Sequence, residues 1–248
     1  MDILEARRVT KHFGGLAAVS MVNFDLREGE ILGLIGPNGS GKTTLVNVIT
    51  GMLPYTDGDV HFKGQSIRGL PAYEIGELGL TRTFQVVKPF RNLTVLQNVM
   101  VGALFGARGG ARDLAAARWQ AEEVLEFVGL AHKAQAEAEG LGVPERKRME
   151  LARALAMRPT LLFLDEVMAG LNPTEIDEAV ELIKRVRDRG ITLVVIEHVM
   201  KAIRKLSDRI MVLFHWEKLT EGLPDEVLNN PEVISAYLGR RYAEQARA

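Results

Sequence analysis

One short segment of this 248-residue chain combines glycines, a lysine and hydroxyl side chains at a spacing that suits phosphate chemistry. It fits the pattern G-x-x-x-x-G-K-[ST] completely, with the residues Gly36, Pro37, Asn38, Gly39, Ser40, Gly41, Lys42, Thr43 and Thr44. In such a P-loop the glycines turn backbone N–H groups toward phosphate oxygens, the lysine reaches the β- and γ-phosphates, and the following hydroxyl can ligate Mg²⁺. The segment therefore predicts a nucleotide-phosphate site, with Mg²⁺ on Thr43.

Two adjacent carboxylates follow the apolar run Leu161–Leu164. On its own, such a pair usually lies in a solvated turn. Combined with a P-loop it predicts catalysis, with Asp165 holding Mg²⁺ through water and Glu166 acting as general base for an attacking water. His198 follows a second apolar run, Leu193–Ile196. The carboxyl end of a parallel strand is where α/β sheets bind ligands, so His198 can reach a γ-phosphate.

These residues need a sheet and helices to position them. The apolar runs do not alternate with polar residues, which favours parallel strands covered on both faces, at Ile31–Ile35, Leu161–Leu164, Leu193–Ile196 and Ile210–Phe214. One helix is predicted at Lys42–Thr50, ending before Gly51, and another beginning at the N-cap Asn172. We expect one domain, with a nucleotide-binding core at about 1–90 and 158–248 and an inserted helical subdomain at about 91–157.

The composition narrows the classes of partner. The net charge is −1 with both signs spread along the chain, which argues against a nucleic-acid partner. With no cysteine, the chain has no thiolate metal site and no disulfide. The charged N-terminus predicts no signal peptide, and no run approaches the ~18 apolar residues of a membrane span. We expect a soluble protein whose membrane contacts go through partner subunits.

The motifs together resemble those of the ABC-transporter ATPases. The P-loop, Gln85 in RTFQ, the helical segment Arg146–Leu155, the strand Leu161–Glu166 and His198 occur in the order and spacing of that family. The segments RTFQVVKPFRNLTVLQNVMVGA, DEVMAGLNPTE and NNPEVISAYLG are similar to the LivG-like branch, the ATPases of high-affinity branched-chain amino acid importers.

The resemblance implies a fold, an activity and partners. The fold would be a RecA-like α/β core with a mostly parallel sheet, a small antiparallel β subdomain and an inserted helical subdomain. The activity would be ATP hydrolysis with Mg²⁺ that drives import. The partners would be a second ATPase subunit, identical or different, two transmembrane permeases and, indirectly, an extracytoplasmic binding protein. The chain would lie peripherally on the cytoplasmic face of the inner or plasma membrane.

The resemblance also implies roles for single residues. Gln85 would be the glutamine that senses Mg²⁺ and contacts the permease, and Phe13 would stack on adenine. His198 would be the switch histidine and Glu166 the catalytic glutamate. The segment Leu141–Glu145 occupies the place of the Leu-Ser-Gly-Gly-Gln signature, which acts in the partner's ATP site.

Two departures from the family pattern bear on activity. Asn172 stands where many ABC ATPases have an aspartate, a form common in this branch. More seriously, the signature has become Gly142, Val143, Pro144 and Glu145 after Leu141, so the serine hydroxyl that normally donates to the γ-phosphate is missing. Pro144 suits the first position of a helix, whose N-terminal amides could still face a phosphate, but Glu145 brings a negative charge. We therefore expect the two ATP sites of the transporter to be unequal.

Three other classes of protein stay open from the sequence. The first is a non-transport ABC protein in DNA repair or on the ribosome, although the long coiled coil or second cassette of such proteins is missing. The second is a P-loop kinase or GTPase, although no N-K-x-D motif is present. The third is a regulatory subunit that binds nucleotide without hydrolysing it. The transported substrate also stays open among branched-chain amino acids, other amino acids, amides and urea.

Overall fold

A computed structural model describes residues 1–84 and 88–238, without the side chains of Arg108 and Leu238. The described residues fold into two compact units, Met1–Pro71 together with 192–238, and Ala72–Ile191. Gln85 lies outside the described residues. None of the described helices is long and apolar enough to cross a membrane.

The elements are numbered in chain order. The first unit begins with β1 (Asp2–Phe13), β2 (Leu16–Arg27), β3 (Ile31–Ile35), α1 (Lys42–Ile49), β4 (Asp57–Phe62) and β5 (Gln65–Ser66). The second unit contains α2 (Ala72–Glu77), β6 (Leu80–Arg82), α3 (Val95–Leu104), α4 (Leu114–Phe127), α5 (Val143–Ala156), β7 (Leu161–Asp165) and α6 (Pro173–Asp188). The chain then completes the first unit with β8 (Thr192–Ile196), α7 (Met200–Leu206), β9 (Arg209–Phe214), β10 (Glu217–Gly222), α8 (Pro224–Leu228) and α9 (Pro231–Leu238).

The first unit contains the small antiparallel sheet that the family resemblance implies. Its strands lie in the order β2–β1–β4–β5, and each neighbouring pair is antiparallel. Leu4, Ala6 and Val9 of β1 are fully buried. The expectation of an antiparallel subdomain is therefore confirmed.

The parallel strands of the first unit are those predicted from uninterrupted apolar runs. β3 pairs in parallel with β8 on one side and with β9 on the other, so that Leu32 lies opposite both Val194 and Arg209. Every residue of β3 is buried, as a central parallel strand requires. β10 pairs antiparallel with β9 at the edge. The loop after β3 and the loop after β8 consequently leave from the same edge of the sheet.

In the second unit, β7 is also buried along its whole length and pairs in parallel with β6. β6 is only three residues long, Leu80–Arg82, and the sequence analysis did not predict it. From Val95 to Ala156 the described residues form α3, α4 and α5, joined by loops with short 3₁₀ turns at Ala107–Gly109, Ala131–Lys133 and Ala138–Gly140.

The helix boundaries largely follow the predicted signals. α1 begins directly at Lys42, and Gly51 follows its C-cap with a left-handed backbone of φ 72°. α6 begins after Asn172, whose side chain accepts a hydrogen bond from the Glu175 N–H at 3.0 Å. The Glu175 carboxylate accepts one from the Asn172 N–H at 2.8 Å, which completes the predicted capping box.

The predicted start of the signature helix is wrong by one residue. α5 begins at Val143, with Gly142 as the extended N-cap and Pro144 at the second position. Proline is tolerated there because the first-turn N–H groups have no partner within the helix in any case.

The cap of α6 generates a stability prediction. Replacing Asn172 with alanine removes the side-chain oxygen that satisfies the Glu175 N–H, so we expect the free energy of unfolding to fall by about 1 kcal/mol. Urea unfolding of the purified chain measures this change. Asn172→Asp is the matched control, because it keeps an acceptor at the N-cap and should remain close to wild type. Equal stability of Asn172→Ala and wild type would contradict the role of the cap.

Candidate active site

The P-loop joins the end of β3 to α1 with a backbone that only glycine accommodates easily. Gly36, Gly39 and Gly41 have φ values of 154°, 78° and 104°. A Cβ on Gly36 would lie 2.2 Å from the Leu213 carbonyl oxygen, and one on Gly41 would lie 2.5 Å from that of Ala18. The loop is thus held tightly against β9 on one side and β2 on the other.

The loop encloses the ammonium group of Lys42. This side chain is only 6% exposed, and its Nζ donates to the carbonyl oxygens of Gly36 at 2.7 Å and Pro37 at 3.0 Å. The N-terminus of α1 begins at the same residue and adds the positive end of its dipole. The loop therefore concentrates positive potential at a place shaped for an anion.

A buried hydroxyl in the loop offers an independent sign of the ligand. Ser40 is 4% exposed, and within the described residues no hydrogen-bond partner lies in reach of its Oγ. Buried polar atoms in proteins are almost always hydrogen-bonded, so an unsatisfied one calls for a partner. Phosphate oxygens fit a loop with a buried ammonium, an unsatisfied hydroxyl and a helix N-terminus.

The other predicted residues of the first unit are Thr43, His198 and Phe13. Thr43 is exposed in the first turn of α1. His198 is exposed two residues beyond β8, and because β8 pairs in parallel with β3, it leaves the sheet at the same edge as the loop. Phe13 is 50% exposed at the end of β1, and the Lys11 ammonium lies 5.1 Å from its ring centroid. The first unit thus brings Thr43, His198 and the loop to one edge of its parallel sheet.

In the second unit, Asp165 ends β7 as a buried and ion-paired carboxylate. It is 2% exposed, and its Oδ2 lies 2.9 Å from Nη2 of Arg82. Its N–H donates to the Thr83 hydroxyl at 3.0 Å. Burial lowers the pKa of Arg82, and the charge of Asp165 opposes that shift. Arg82 is not predicted from the sequence, although its place three residues before the predicted Gln85 was a possible signal.

Glu166 lies in different surroundings, although it is the next residue. Its side chain is half-buried, and its backbone is left-handed with φ 48°, a conformation that is uncommon outside glycine. Its carbonyl oxygen accepts a hydrogen bond from Nζ of Lys147 on α5 at 2.8 Å. Backbone strain of this kind clusters at functional sites, where surrounding contacts hold it in place. The turn separates the buried Asp165 from the half-buried Glu166.

The signature segment has an internal partner for its negative charge. The Glu145 carboxylate accepts a hydrogen bond from the Gly142 N–H at 3.0 Å and lies 3.4 Å from the Lys133 ammonium. The Gly142 bond and then Lys133 lower the pKa of Glu145. Gly142 and Val143 are exposed at the start of α5. Lys133, which the sequence analysis did not single out, thus offsets the charge that Glu145 adds to this segment.

A tyrosine near the C-terminus also lies beside the P-loop. The Tyr237 hydroxyl in α9 is buried, and burial raises the pKa of Tyr237 to about 12, while the Gly36 backbone acts in the opposite direction. Tyr237 belongs to the segment NNPEVISAYLG, which the resemblance singled out without assigning a role to this residue.

Comparison with known proteins identifies the family to which the chain belongs. Residues 19–169 match the ABC transporter family, and residues 217–243 match the family described as "Branched-chain amino acid ATP-binding cassette transporter". The chain therefore belongs to the ABC-transporter ATP-binding proteins, and it is an ATPase of that family. This assignment rules out the P-loop kinase or GTPase alternative.

Individual relatives cover almost the whole chain. It is 41% identical over 251 residues to the high-affinity branched-chain amino acid transport ATP-binding protein LivG of Salmonella typhimurium, covering 96% of this chain and 98% of that protein. The crystal structure of the ADP conformation of MJ1267, an ATP-binding cassette of an ABC transporter, superposes with a TM-score of 0.87 at 31% identity, over 97% of this chain and 100% of the other. The dimeric structure of the cassette MJ0796 gives 0.81 at 28% identity, over 89% and 98%. The predicted resemblance and fold class are confirmed.

The glycines of the P-loop allow a paired test of its geometry. Gly36→Ala places a Cβ against the Leu213 carbonyl, whereas Gly39→Ala places one where no atom lies within 4 Å. We expect Gly39→Ala to lose about 1 kcal/mol of stability from its left-handed backbone alone, and Gly36→Ala to lose about 1 to 3 kcal/mol more from the steric clash. Urea unfolding of both variants measures the difference. Equal losses would show that the loop is not packed as described.

Proposed function

We propose that this chain hydrolyses ATP to drive a membrane importer for branched-chain or related amino acids. The observation that carries the proposal is the P-loop, in which a buried ammonium and an unsatisfied buried hydroxyl lie at the N-terminus of α1. The C-terminal match at residues 217–243 supports the amino-acid class of substrate. The LivG relative, whose name specifies branched-chain amino acid transport, supports it further.

For nucleotide binding, we assign the triphosphate to the loop Gly36–Thr44. Lys42 supplies the cation, and the loop amides and the Ser40 hydroxyl donate to phosphate oxygens. Phe13 stacks on the adenine, which its half-exposed ring and flat surface permit.

For hydrolysis, we assign Mg²⁺ to Thr43, Gln85 and, through water, Asp165. Bound Mg²⁺ would neutralise charge on the β- and γ-phosphates. The Glu166 carboxylate accepts the proton of the attacking water, and His198 contacts the γ-phosphate. The difference in burial between the two adjacent carboxylates supports this division, because the buried Asp165 is held by Arg82 while Glu166 remains accessible to water.

For assembly, we propose a dimer of ATPase subunits with two permeases and, indirectly, a binding protein, on the cytoplasmic face of the membrane. The signature segment Gly142–Glu145 completes the partner's ATP site, and the helical subdomain at about 91–157 carries it. The exposed start of α5 and the dimeric cassette MJ0796 support this arrangement. The net charge of −1 gives no reason to expect nucleic acid as a partner.

Two substitutions separate binding from chemistry. Glu166→Gln should keep ATP affinity and lower turnover at least about a hundredfold, because it removes the general base with little change in shape. Lys42→Ala should instead weaken ATP binding, since it removes the cation that faces the phosphates. Nucleotide affinity and turnover of both variants are measured in the assembled transporter. Near-normal turnover in Glu166→Gln would contradict its assignment as the base.

Where the partner ATPase is a different chain, we expect the two ATP sites to differ. The site that uses Gly142–Glu145 lacks the serine hydroxyl, and losing one hydrogen bond to a charged group costs about 1.5 to 3 kcal/mol. Hydrolysis there should be about ten- to a hundredfold slower. Lys133 beside Glu145 limits further loss from charge repulsion.

This asymmetry is tested by replacing the catalytic glutamate of each subunit in turn. Glu166→Gln should remove most of the turnover. Replacing the partner's catalytic glutamate with glutamine should leave a substantial fraction of the turnover. Equal losses would contradict the asymmetry. Turnover that survives Glu166→Gln but not the partner's change would instead favour the regulatory alternative, in which this chain binds nucleotide without hydrolysing it.

A further inference from the structure

A second carboxylate, that of Glu150, is buried in the same unit as Asp165 and has no role in the proposed hydrolysis. Glu150 lies on α5 and is 3% exposed, between residues of the helix that are apolar and buried. Burial raises the pKa of its carboxyl, and Arg153 opposes that shift. A buried carboxylate is costly unless it is paired and hydrogen-bonded.

Two neighbours bind the Glu150 carboxylate, the Arg153 guanidinium and the Phe84 N–H. Its Oε2 lies 2.9 Å from Nη2 of Arg153, and its Oε1 accepts a hydrogen bond from the Phe84 N–H at 3.0 Å. Arg153 also donates to the Lys88 carbonyl oxygen at 3.1 Å. The carboxylate therefore anchors the chain at Phe84 to helix α5.

The residues directly before Phe84 hold Asp165. Arg82 pairs with the Asp165 carboxylate, and the Thr83 hydroxyl accepts from the Asp165 N–H. Arg82 is also tied to this segment, since its Nε donates to the Thr83 carbonyl at 3.1 Å and its guanidinium lies 4.8 Å from the Phe84 ring centroid. Three consecutive residues, Arg82–Phe84, thus link Asp165 to Glu150.

The charges along this link alternate in sign. Arg82 lies in the field of two carboxylates, Asp165 and Glu150. Glu150 in turn lies in the field of Arg153 and Lys147. Such a network holds its members in one arrangement, because shifting any one leaves a buried charge poorly compensated.

We propose that Glu150 is a positioning residue that, through Arg82–Phe84, holds the Asp165 carboxylate in the orientation that receives Mg²⁺. This inference rests on the proposed function, in which Asp165 binds the metal through water. We expect no direct contact between Glu150 and nucleotide or metal, because its carboxylate is buried and bound by Arg153 and the Phe84 N–H. Residues that orient a metal ligand commonly change metal affinity by about tenfold or more when they are replaced.

The test measures binding of a non-hydrolysable ATP analogue to the assembled transporter by calorimetry, with excess Mg²⁺ and with EDTA. Glu150→Gln keeps an oxygen for the Phe84 N–H but removes the charge. We expect about tenfold weaker binding with Mg²⁺ and unchanged binding in EDTA, because the P-loop carries the metal-independent affinity. Glu150→Ala, which also loses the hydrogen bond, should show a larger loss with Mg²⁺ only.

Two further variants control for general damage. Glu178→Gln breaks an exposed ion pair with Arg148, another residue of α5. It should leave the affinity for the analogue unchanged both with Mg²⁺ and in EDTA. If Glu150→Gln fails to fold, the double variant Glu150→Gln/Arg153→Gln removes both charges of the half-buried pair and should show the same selective loss.

The outcomes separate this inference from the proposed function. Equal losses with Mg²⁺ and EDTA, or no loss in either, would overturn the positioning role while ATP binding by the wild type stands. A wild type that binds the analogue in neither condition would overturn the proposed function, and this inference with it.

Discussion

The buried ammonium of Lys42 is the interaction on which the first unit's site depends. A cation away from water must be compensated, and here the carbonyl oxygens of Gly36 and Pro37 contribute to that compensation. Those carbonyls reach it only because the loop glycines take backbone conformations that other residues avoid. The parallel pairing of β3 with β8 and β9 holds the beginning of this loop in place. A triphosphate would offer the ammonium stronger partners than two carbonyls do.

The second unit applies the same physics with buried carboxylates. Asp165 and Glu150 are each compensated by an arginine, Arg82 and Arg153 respectively. Removing one member of a buried ion pair is commonly more destabilising than replacing both members with apolar residues, because the remaining charge stays buried without its partner. In the Glu150–Arg153 pair the buried member is the carboxylate, since the arginine is half-buried.

Helix α5 connects several parts of the second unit. Its first turn carries the altered signature, with Glu145 satisfied by Gly142 and Lys133. One turn further, Lys147 holds the Glu166 carbonyl, and Glu150 then holds the Phe84 N–H. A displacement of this one helix would therefore reach the signature, the turn at Glu166 and the segment before Gln85 together. The absence of the signature serine affects only the first of these three places. The contacts of Lys147 with Glu166 and of Glu150 with Phe84 do not involve it.

The sequence alone determined the features that depend on neighbouring residues. The P-loop, the buried strands, the Asp165–Glu166 pair and the capping box at Asn172 are local patterns, in which a few consecutive side chains select one backbone conformation. Only the tertiary structure revealed the partners of those residues. Arg82 and Asp165 are 83 positions apart, and Phe84 and Glu150 are 66 apart. An arginine or glutamate within a polar stretch of sequence predicts a solvated side chain, and it becomes a buried ion-pair partner only when folding removes the water around it.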